Sequence, residues 1–227
     1  MSMNFSNYKV ETRVTDAPWS ENLYFVRHDS SSRTLLIDPG DGADRIIKVL
    51  RDEESDLKAI LLTHAHHDHV GAVDGVQQYY NVPCYLHKND YRLMRQAHTY
   101  ALSFAGKNMK PLTEACLFEE ESGVLIEPWV IRSIHTPGHT KGSVCYYFDG
   151  FVFTGDTLLY QHVGRADIPG ADLEQLVLSV DLLLKELPEN TVIFPGHGRS
   201  WTIAEAKSWW RVARKSPPQY KEFGGLK

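Results

Sequence analysis

The chain has 227 residues, an ordinary globular composition with 42% hydrophobic residues, and a formal net charge of −5. This length suits one well-packed domain over residues 1–227, and the acidic balance offers no electrostatic footprint for nucleic acid. No stretch is long and apolar enough to cross a membrane, and residues 1–10 lack a signal-peptide pattern. We therefore expect neither a nucleic-acid partner nor a membrane partner.

Strand-like and helical patterns alternate along the chain, which indicates the α/β class. The expected strands are 22–27, 34–38, 58–63, 83–86, 130–134, 144–148, 151–154 and 191–194. The expected helices are 43–51, 71–80, 90–100, 173–187 and 203–215, and residues 216–227 are expected to form a tail. The dipeptide Asp149-Gly150 is the strongest hairpin signal, whereas residues 104–122 are polar and mixed.

The cysteines are three in number and show no paired spacing; they are Cys84, Cys116 and Cys145. This usage is typical of a reducing compartment, where thiols are unpaired and either buried or inert. The expected location is the cytoplasm.

The most informative stretch is Thr63-His64-Ala65-His66-His67-Asp68-His69, which has the pattern H-x-H-x-D-H after an apolar, strand-like segment. Imidazole and carboxylate are ligand types that suit zinc, iron and manganese. A short loop at a strand end can point alternate side chains into one small cavity, whereas residues i and i+2 of a helix lie about 200° apart. The pattern therefore predicts a metal-binding loop rather than a solvated polar turn.

Three further candidate ligands follow, each after a strand-like run and next to glycine or proline. They are His139 in Thr136-Pro137-Gly138-His139-Thr140, Asp156 in Phe153-Thr154-Gly155-Asp156-Thr157, and His197 in Phe194-Pro195-Gly196-His197-Gly198. Loops at strand ends are where a rigid scaffold presents functional side chains. The isolated histidines are expected to be structural, namely His28, His87, His98, His135 and His162. For His67 we expect either contacts that support the metal ligands or simple exposure to solvent.

Residues 63–70, 136–143, 155–156 and 196–197 resemble the five-part signature of the metallo-β-lactamase superfamily, and within it the glyoxalase II type, the hydroxyacylglutathione hydrolases. The similarity runs from about residue 22 to residue 198. It implies a four-layer αββα sandwich, in which two mixed sheets lie back to back with helices outside. It also implies the metal ligands: His64, His66 and His139 for the first ion, Asp68, His69 and His197 for the second, and Asp156 bridging both.

The implied cofactor is two divalent metal ions, with zinc expected and iron or manganese as alternatives. Seven ligands shared by two ions leave coordination positions open, as catalysis requires. A metal-bridging hydroxide held by Asp156 would attack an acyl carbonyl, and Asp68 would be a catalytic residue that orients it. The expected substrate is a small-molecule acyl thioester such as S-lactoylglutathione, and the expected assembly is a monomer or homodimer.

Substrate recognition has one candidate residue, Arg165. It falls near a position where relatives carry a basic residue for glutathione, but an ion pair with Asp167 explains it equally well. Residues 199–227 are too few for the helical extension of long glyoxalase II enzymes. The resemblance is therefore to the compact members, and the thiol carrier stays open.

Three other functions stay open. A persulfide dioxygenase with a single iron shares the motif and resembles the segment Gly164-Arg165-Ala166-Asp167. A lactonase would direct the same hydroxide at a cyclic ester, and a non-catalytic protein would use the metal for sensing or stability. The seven-ligand set argues against the last, because a structural site needs only four ligands. A true β-lactamase is not expected, because Asp156 fills a bridging position that those enzymes lack.

Overall fold

Two β-sheets form the centre of the structure, a computed structural model that describes residues 1–16, 18–119 and 126–219. In spatial order, the first sheet contains β1 (Ser2–Phe5), β2 (Tyr8–Val14), β3 (Asn22–His28), β4 (Arg33–Ile37), β5 (Asp56–Leu61), β6 (Cys84–His87) and β7 (Cys116–Phe118). The second sheet contains β12 (Trp201–Thr202), β11 (Val192–Pro195), β10 (Phe151–Gly155), β9 (Val144–Phe148) and β8 (Arg132–His135). Both sheets are mixed: β4 to β7 run parallel, as do β10 and β11, and the other neighbours are antiparallel.

Helices cover the outer face of each sheet. They are α1 (Ala43–Asp52), α2 (His67–Val70), α3 (Val73–Tyr80), α4 (Tyr91–Ala105), α5 (Leu173–Glu186) and α6 (Ile203–Ala213), with a 3₁₀ turn at Lys88–Asp90. The first sheet shares an apolar cluster with α1, α3 and α4, and the second sheet shares another with α5 and α6. Within the described ranges, none of these helices has the length and apolarity to cross a membrane.

An aromatic layer fills the space between the two sheets. Phe148 stacks on Phe151 with ring centroids 4.8 Å apart, and Phe153 stacks on Phe194 at 5.5 Å. Tyr24 of the first sheet meets Phe153 at 4.9 Å. Burial of each such side chain contributes about 1.5–3 kcal/mol. The two outer clusters and this central one separate four layers, which confirms the predicted αββα sandwich.

Most predicted elements are present with shifted boundaries, but several predictions were wrong in detail. The hairpin β1–β2, the short strand β7 and the two-residue strand β12 were not predicted. Helix α4 extends five residues beyond its predicted end, and α6 ends at Ala213 rather than at 215. Residues 120–125 and 220–227, which include most of the predicted tail, lie outside the described residues. The single-domain organisation stays a prediction.

Candidate metal centre

The seven predicted ligands meet where strands of both sheets end. The run 64–69 follows β5, His139 lies between β8 and β9, Asp156 directly follows β10, and His197 follows β11. Six of these residues form two groups whose ligand atoms lie within 4.8 Å of one another. We call His64, His66 and His139 the first triad, and Asp68, His69 and His197 the second triad.

Asp156 lies between the two triads. One of its oxygens, Oδ2, is 3.6 Å from His139 Nε2 and 3.7 Å from His197 Nε2, while Oδ1 is 3.6 Å from His69 Nε2. A single carboxylate therefore faces histidines of both groups. In the second triad, Asp68 Oδ2 lies 3.3 Å from His197 Nε2 and 3.7 Å from His69 Nε2.

The run 64–69 is not a loop throughout, which corrects the sequence prediction. His66 is extended, with φ −68° and ψ 150°, and the chain then enters the one-turn helix α2. This change of backbone redirects the side chains that follow, because extended and helical residues point them differently. As a result, His64 and His66 belong to the first triad, whereas Asp68 and His69 belong to the second.

Glycine is required at two of the ligand motifs. A Cβ atom on Gly196 would lie 2.3 Å from Asp156 Oδ1 and 2.7 Å from His69 Cε1, so any side chain there would enter the centre. Gly155 has a φ of +46°, which glycine adopts without steric cost. A Cβ on Gly155 would also lie 2.3 Å from Thr63 Oγ1. These glycines let the ligand loops approach one another closely.

Asp38 orients the ligand run from behind, a role that sequence reasoning missed. Its carboxylate accepts hydrogen bonds from Thr63 N at 2.7 Å and from Thr63 Oγ1 at 2.6 Å, and Oδ2 lies 3.1 Å from His69 Nδ1. A hydrogen bond on one ring nitrogen fixes the tautomer and directs the other nitrogen toward the metal. In the same way, His139 donates from Nδ1 to the carbonyl oxygen of Arg165 at 2.8 Å.

Asp90 joins the first ligand run to the His139 loop, and sequence reasoning missed this role as well. Its Oδ2 accepts hydrogen bonds from Ala65 N at 3.0 Å and Thr140 Oγ1 at 2.8 Å, and its Oδ1 accepts one from Gly142 N at 2.7 Å. Burial raises the pKa of Asp90, and these hydrogen bonds oppose that rise. The carboxylate is therefore a buried link between two segments that carry ligands.

The centre contains buried polar atoms that have no hydrogen-bond partner among the described residues. They are His64 Nε2, both carboxylate oxygens of Asp68, His69 Nε2 and Asp156 Oδ1. Leaving such atoms unsatisfied costs about 1–3 kcal/mol each. The first triad also brings His66 Nδ1 to 2.8 Å from His139 Nε2. Lone pairs that converge in this way fit divalent cations.

The electrostatics of the centre also favour a cation. Burial, reinforced by neighbouring histidines, holds the pKa of His64 and His66 well below the ordinary value, so both rings are neutral and can donate a lone pair to a metal. Burial alone would raise the pKa of Asp68, but His69 and His197 hold it well below its usual range. Burial alone would lower the pKa of His69, but the carboxylates of Asp68, Asp38 and Asp156 raise it to about 10. The buried carboxylates therefore present a negative site.

The candidate metal groups found among the described residues do not include the remaining histidines, and their structural role stays a prediction. His67 is 7% exposed and meets the Trp19 ring edge-on at 4.9 Å, so of its two predicted roles simple solvation is wrong, and support of the ligands stays a prediction. Glu21 is an unpredicted neighbour: it is fully buried, its Oε1 lies 4.0 Å from His69 Nδ1, and burial raises its pKa well above the ordinary value.

A cavity of about 500 Å³ opens beside the first triad, with His66 and His139 in its wall. Arg165 and Asp167 lie at the same cavity, and Arg165 donates to both oxygens of Asp167, at 2.8 Å from Nε and 3.2 Å from Nη2. The arginine therefore forms the predicted ion pair and also lines the cavity, while its contact with a substrate stays a prediction.

The sequence of this chain is similar to the sequences of one family. The model of the metallo-beta-lactamase superfamily matches residues 16–197. A probable metallo-hydrolase of Bacillus subtilis, YqgX, is 35% identical over 82% of this chain and 89% of its own. The hydroxyacylglutathione hydrolase GloC of Haemophilus influenzae is 32% identical over 79% of this chain and 86% of its own.

Solved structures agree with the fold. The crystal structure of BLEG-1 B3 metallo-beta-lactamase superposes with a TM-score of 0.81 at 33% identity, over 88% of this chain and 96% of that one. TTHA1623 in a di-iron-bound form superposes with a TM-score of 0.78 at 36% identity, over 87% and 97%. The chain therefore belongs to the metallo-β-lactamase superfamily and is a metal-dependent hydrolase.

Proposed function

We propose that this protein hydrolyses small-molecule acyl thioesters, with the two triads and Asp156 as ligands of two divalent metal ions. The observation that carries the proposal is the position of Asp156, whose carboxylate lies 3.6–3.7 Å from histidines of both triads. A carboxylate so placed can bridge two cations. A centre for stability alone would need only four ligands.

Two bound ions, zinc or alternatively iron or manganese, would make water nucleophilic near neutral pH and polarise an acyl carbonyl. The protein's own residues supply the rest. Asp156 keeps the two halves of the centre together, and Asp38 and the Arg165 carbonyl fix the ring orientations of His69 and His139. Asp68, with buried oxygens that lack hydrogen-bond partners among the described residues, can orient the attacking water.

The leaving group accounts for the choice of a thioester. A thiol has a pKa near 8.5, so a thiolate departs with little help from an acid. The relative named as a hydroxyacylglutathione hydrolase supports a thioester substrate such as S-lactoylglutathione. The neighbour named as a B3 metallo-beta-lactamase makes β-lactam hydrolysis the second candidate, although the presence of Asp156 between the two triads argues against it.

The test is hydrolysis by the purified protein loaded in turn with zinc, iron and manganese, with bound metal counted per chain. The panel contains S-lactoylglutathione, a simple lactone and a chromogenic cephalosporin, and oxygen uptake is followed with glutathione persulfide. Thioester cleavage without oxygen uptake is the expected result. Oxygen uptake without thioester cleavage would indicate a persulfide dioxygenase. Faster cleavage of the cephalosporin or of the lactone than of the thioester would identify that compound class as the substrate instead.

Replacement of Arg165 tests its role at the cavity. We expect Arg165→Ala to raise KM for the anionic S-lactoylglutathione about tenfold and to change kcat less than about threefold, because a charge-assisted hydrogen bond contributes about 1.5–3 kcal/mol and acts equally on bound substrate and transition state. Steady-state kinetics on this substrate and on a neutral thioester of N-acetylcysteamine would measure the effect.

The double variant Arg165→Ala/Asp167→Ala separates two causes of that change. The single variant leaves the Asp167 carboxylate without its ion pair to Arg165, and this charge repels an anionic substrate. If KM stays high in the double variant, Arg165 itself contacts the substrate. If KM returns to the wild-type value, Arg165 acts only by neutralising Asp167.

A further inference from the structure

The cavity beside the first triad has an apolar wall that metal binding does not explain. Leu93, Tyr100 and Phe104 lie on α4 at positions i, i+7 and i+11, so they share one stripe along the helix, within about 40° of one another. Ile168 and Pro169 also line the cavity. The stripe is about 16 Å long.

Tyr100 and Phe104 of this stripe are absent from the core cluster that α4 joins, whereas Leu93 is partly buried and packs against that cluster. Met94, Ala97 and Ala101 are buried against the first sheet and its helices, and they lie about 70° around the helix from the stripe. Phe104 is 67% exposed and stacks on Tyr100, with ring centroids 5.9 Å apart and planes at 13°. Two aromatic rings are thus arranged in parallel at the cavity and largely outside the core.

The charged groups at the cavity do not offset this apolar character. Arg165 and Asp167 also line the cavity, and they pair with each other through two hydrogen bonds. The cavity is continuous with His66 and His139, so a substrate whose scissile carbonyl reaches the first triad has its remaining atoms in this space. Ligand cavities of this size with apolar walls bind apolar groups, and a few polar groups orient them.

We propose that the substrate carries an extended apolar arm next to the scissile thioester, and that Leu93, Tyr100 and Phe104 bind this arm. The inference rests on the proposed thioester hydrolysis and specifies its substrate class. The polar, three-carbon lactoyl group would leave most of the stripe uncovered. The arm can belong to the acyl side or to the thiol side, since both flank the same carbonyl.

Two substrate series identify the arm. In the first, acetyl, butanoyl, hexanoyl and octanoyl groups are esterified to N-acetylcysteamine. In the second, the acetyl group is kept and the thiol is lengthened. With metal-loaded enzyme, we expect kcat/KM to rise in one series by up to about fourfold for each added methylene, which corresponds to about 0.8 kcal/mol per buried CH₂. The series that rises identifies the side that carries the arm.

Phe104→Ala is the informative variant, because Phe104 is exposed and its loss leaves the core intact. We expect kcat/KM for the longest substrate to fall about tenfold and for the acetyl substrate to stay within about twofold. Leu102→Ala is the matched control: Leu102 is 57% exposed on the same helix and lies about 180° around it from the stripe. This variant should keep the full dependence on chain length.

Binding of uncleavable thioethers, measured by calorimetry, separates this inference from the proposed function. Tighter binding of the octyl than of the ethyl thioether, lost in Phe104→Ala and kept in Leu102→Ala, supports the apolar site even if no thioester is cleaved. Equal binding of both thioethers together with cleavage of S-lactoylglutathione would overturn the apolar site and leave thioester hydrolysis standing. Failure of both measurements would reject both.

Discussion

Replacement of Asp156 by alanine is expected to abolish hydrolysis, with kcat/KM lower by at least about a thousandfold. The reason lies in the position of the carboxylate, which is 1% exposed and faces His139, His69 and His197 at 3.6–3.7 Å. No other carboxylate of the described ligand set lies against both triads. Its loss removes a negative charge from between two cations, so metal should be released as well.

The measurement pairs kinetics with a metal count by atomic emission on the same sample. We expect Asp156→Ala to retain at most one ion per chain, and circular dichroism should still show the αββα fold. Asp29→Ala is the control, because Asp29 is an exposed turn residue far along the chain from every ligand. Full activity with two ions in Asp156→Ala would refute the ligand assignment.

The candidate ligands could be predicted because each combines a suitable residue type with a local signal that sequence displays. His139, Asp156 and His197 all follow apolar runs and stand beside glycine, and such local patterns can be recognised without knowledge of tertiary contacts. Gly196 illustrates why glycine accompanies these ligands: a side chain at this position would collide with Asp156. The four layers followed from family resemblance and not from periodicity.

The residues that support the ligands could not be predicted in the same way. Asp38 lies in an ordinary turn sequence, and its partners Thr63 and His69 are 25 and 31 residues away. Asp90 is similar, with a partner 52 residues away at Gly142. A carboxylate at the end of a strand or a helix looks like any solvated aspartate until the fold brings distant donors to it. Only burial and hydrogen bonding, which the sequence does not display, distinguish Asp38 and Asp90 from solvated aspartates.

The unpredicted strands have a comparable cause. In β2, Tyr8 and Val10 face the aromatic layer while Lys9 is exposed, a true alternation that is short and sits beside a polar turn. Strand β7 has three residues and β12 has two, which is below the length at which periodicity can be recognised. These strands exist because neighbouring strands offer hydrogen bonds, so tertiary context decides them.

Asp90→Ala is expected to have the largest effect on stability. Three donors, Ala65 N, Thr140 Oγ1 and Gly142 N, would lose their acceptor in a buried place. Because each unsatisfied buried group costs about 1–3 kcal/mol, the free energy of unfolding should fall by about 3 kcal/mol or more. For a protein of this size that loss lowers Tm by about 6–12 °C. Thermal unfolding of the metal-free proteins would measure it, with Asp29→Ala as the control.

Asp90→Asn tests whether this link also positions the ligands. The amide keeps the shape of the side chain and one acceptor oxygen, so the variant should fold, but it cannot accept all three hydrogen bonds. We expect metal affinity to fall about 10–100-fold, as for other residues that orient ligands, while kcat at saturating metal stays within about threefold. This combination follows because Asp90 holds His66 and His139 together through their loops and does not touch the reacting atoms. An unchanged metal titration curve with a lowered Tm would limit Asp90 to stability alone.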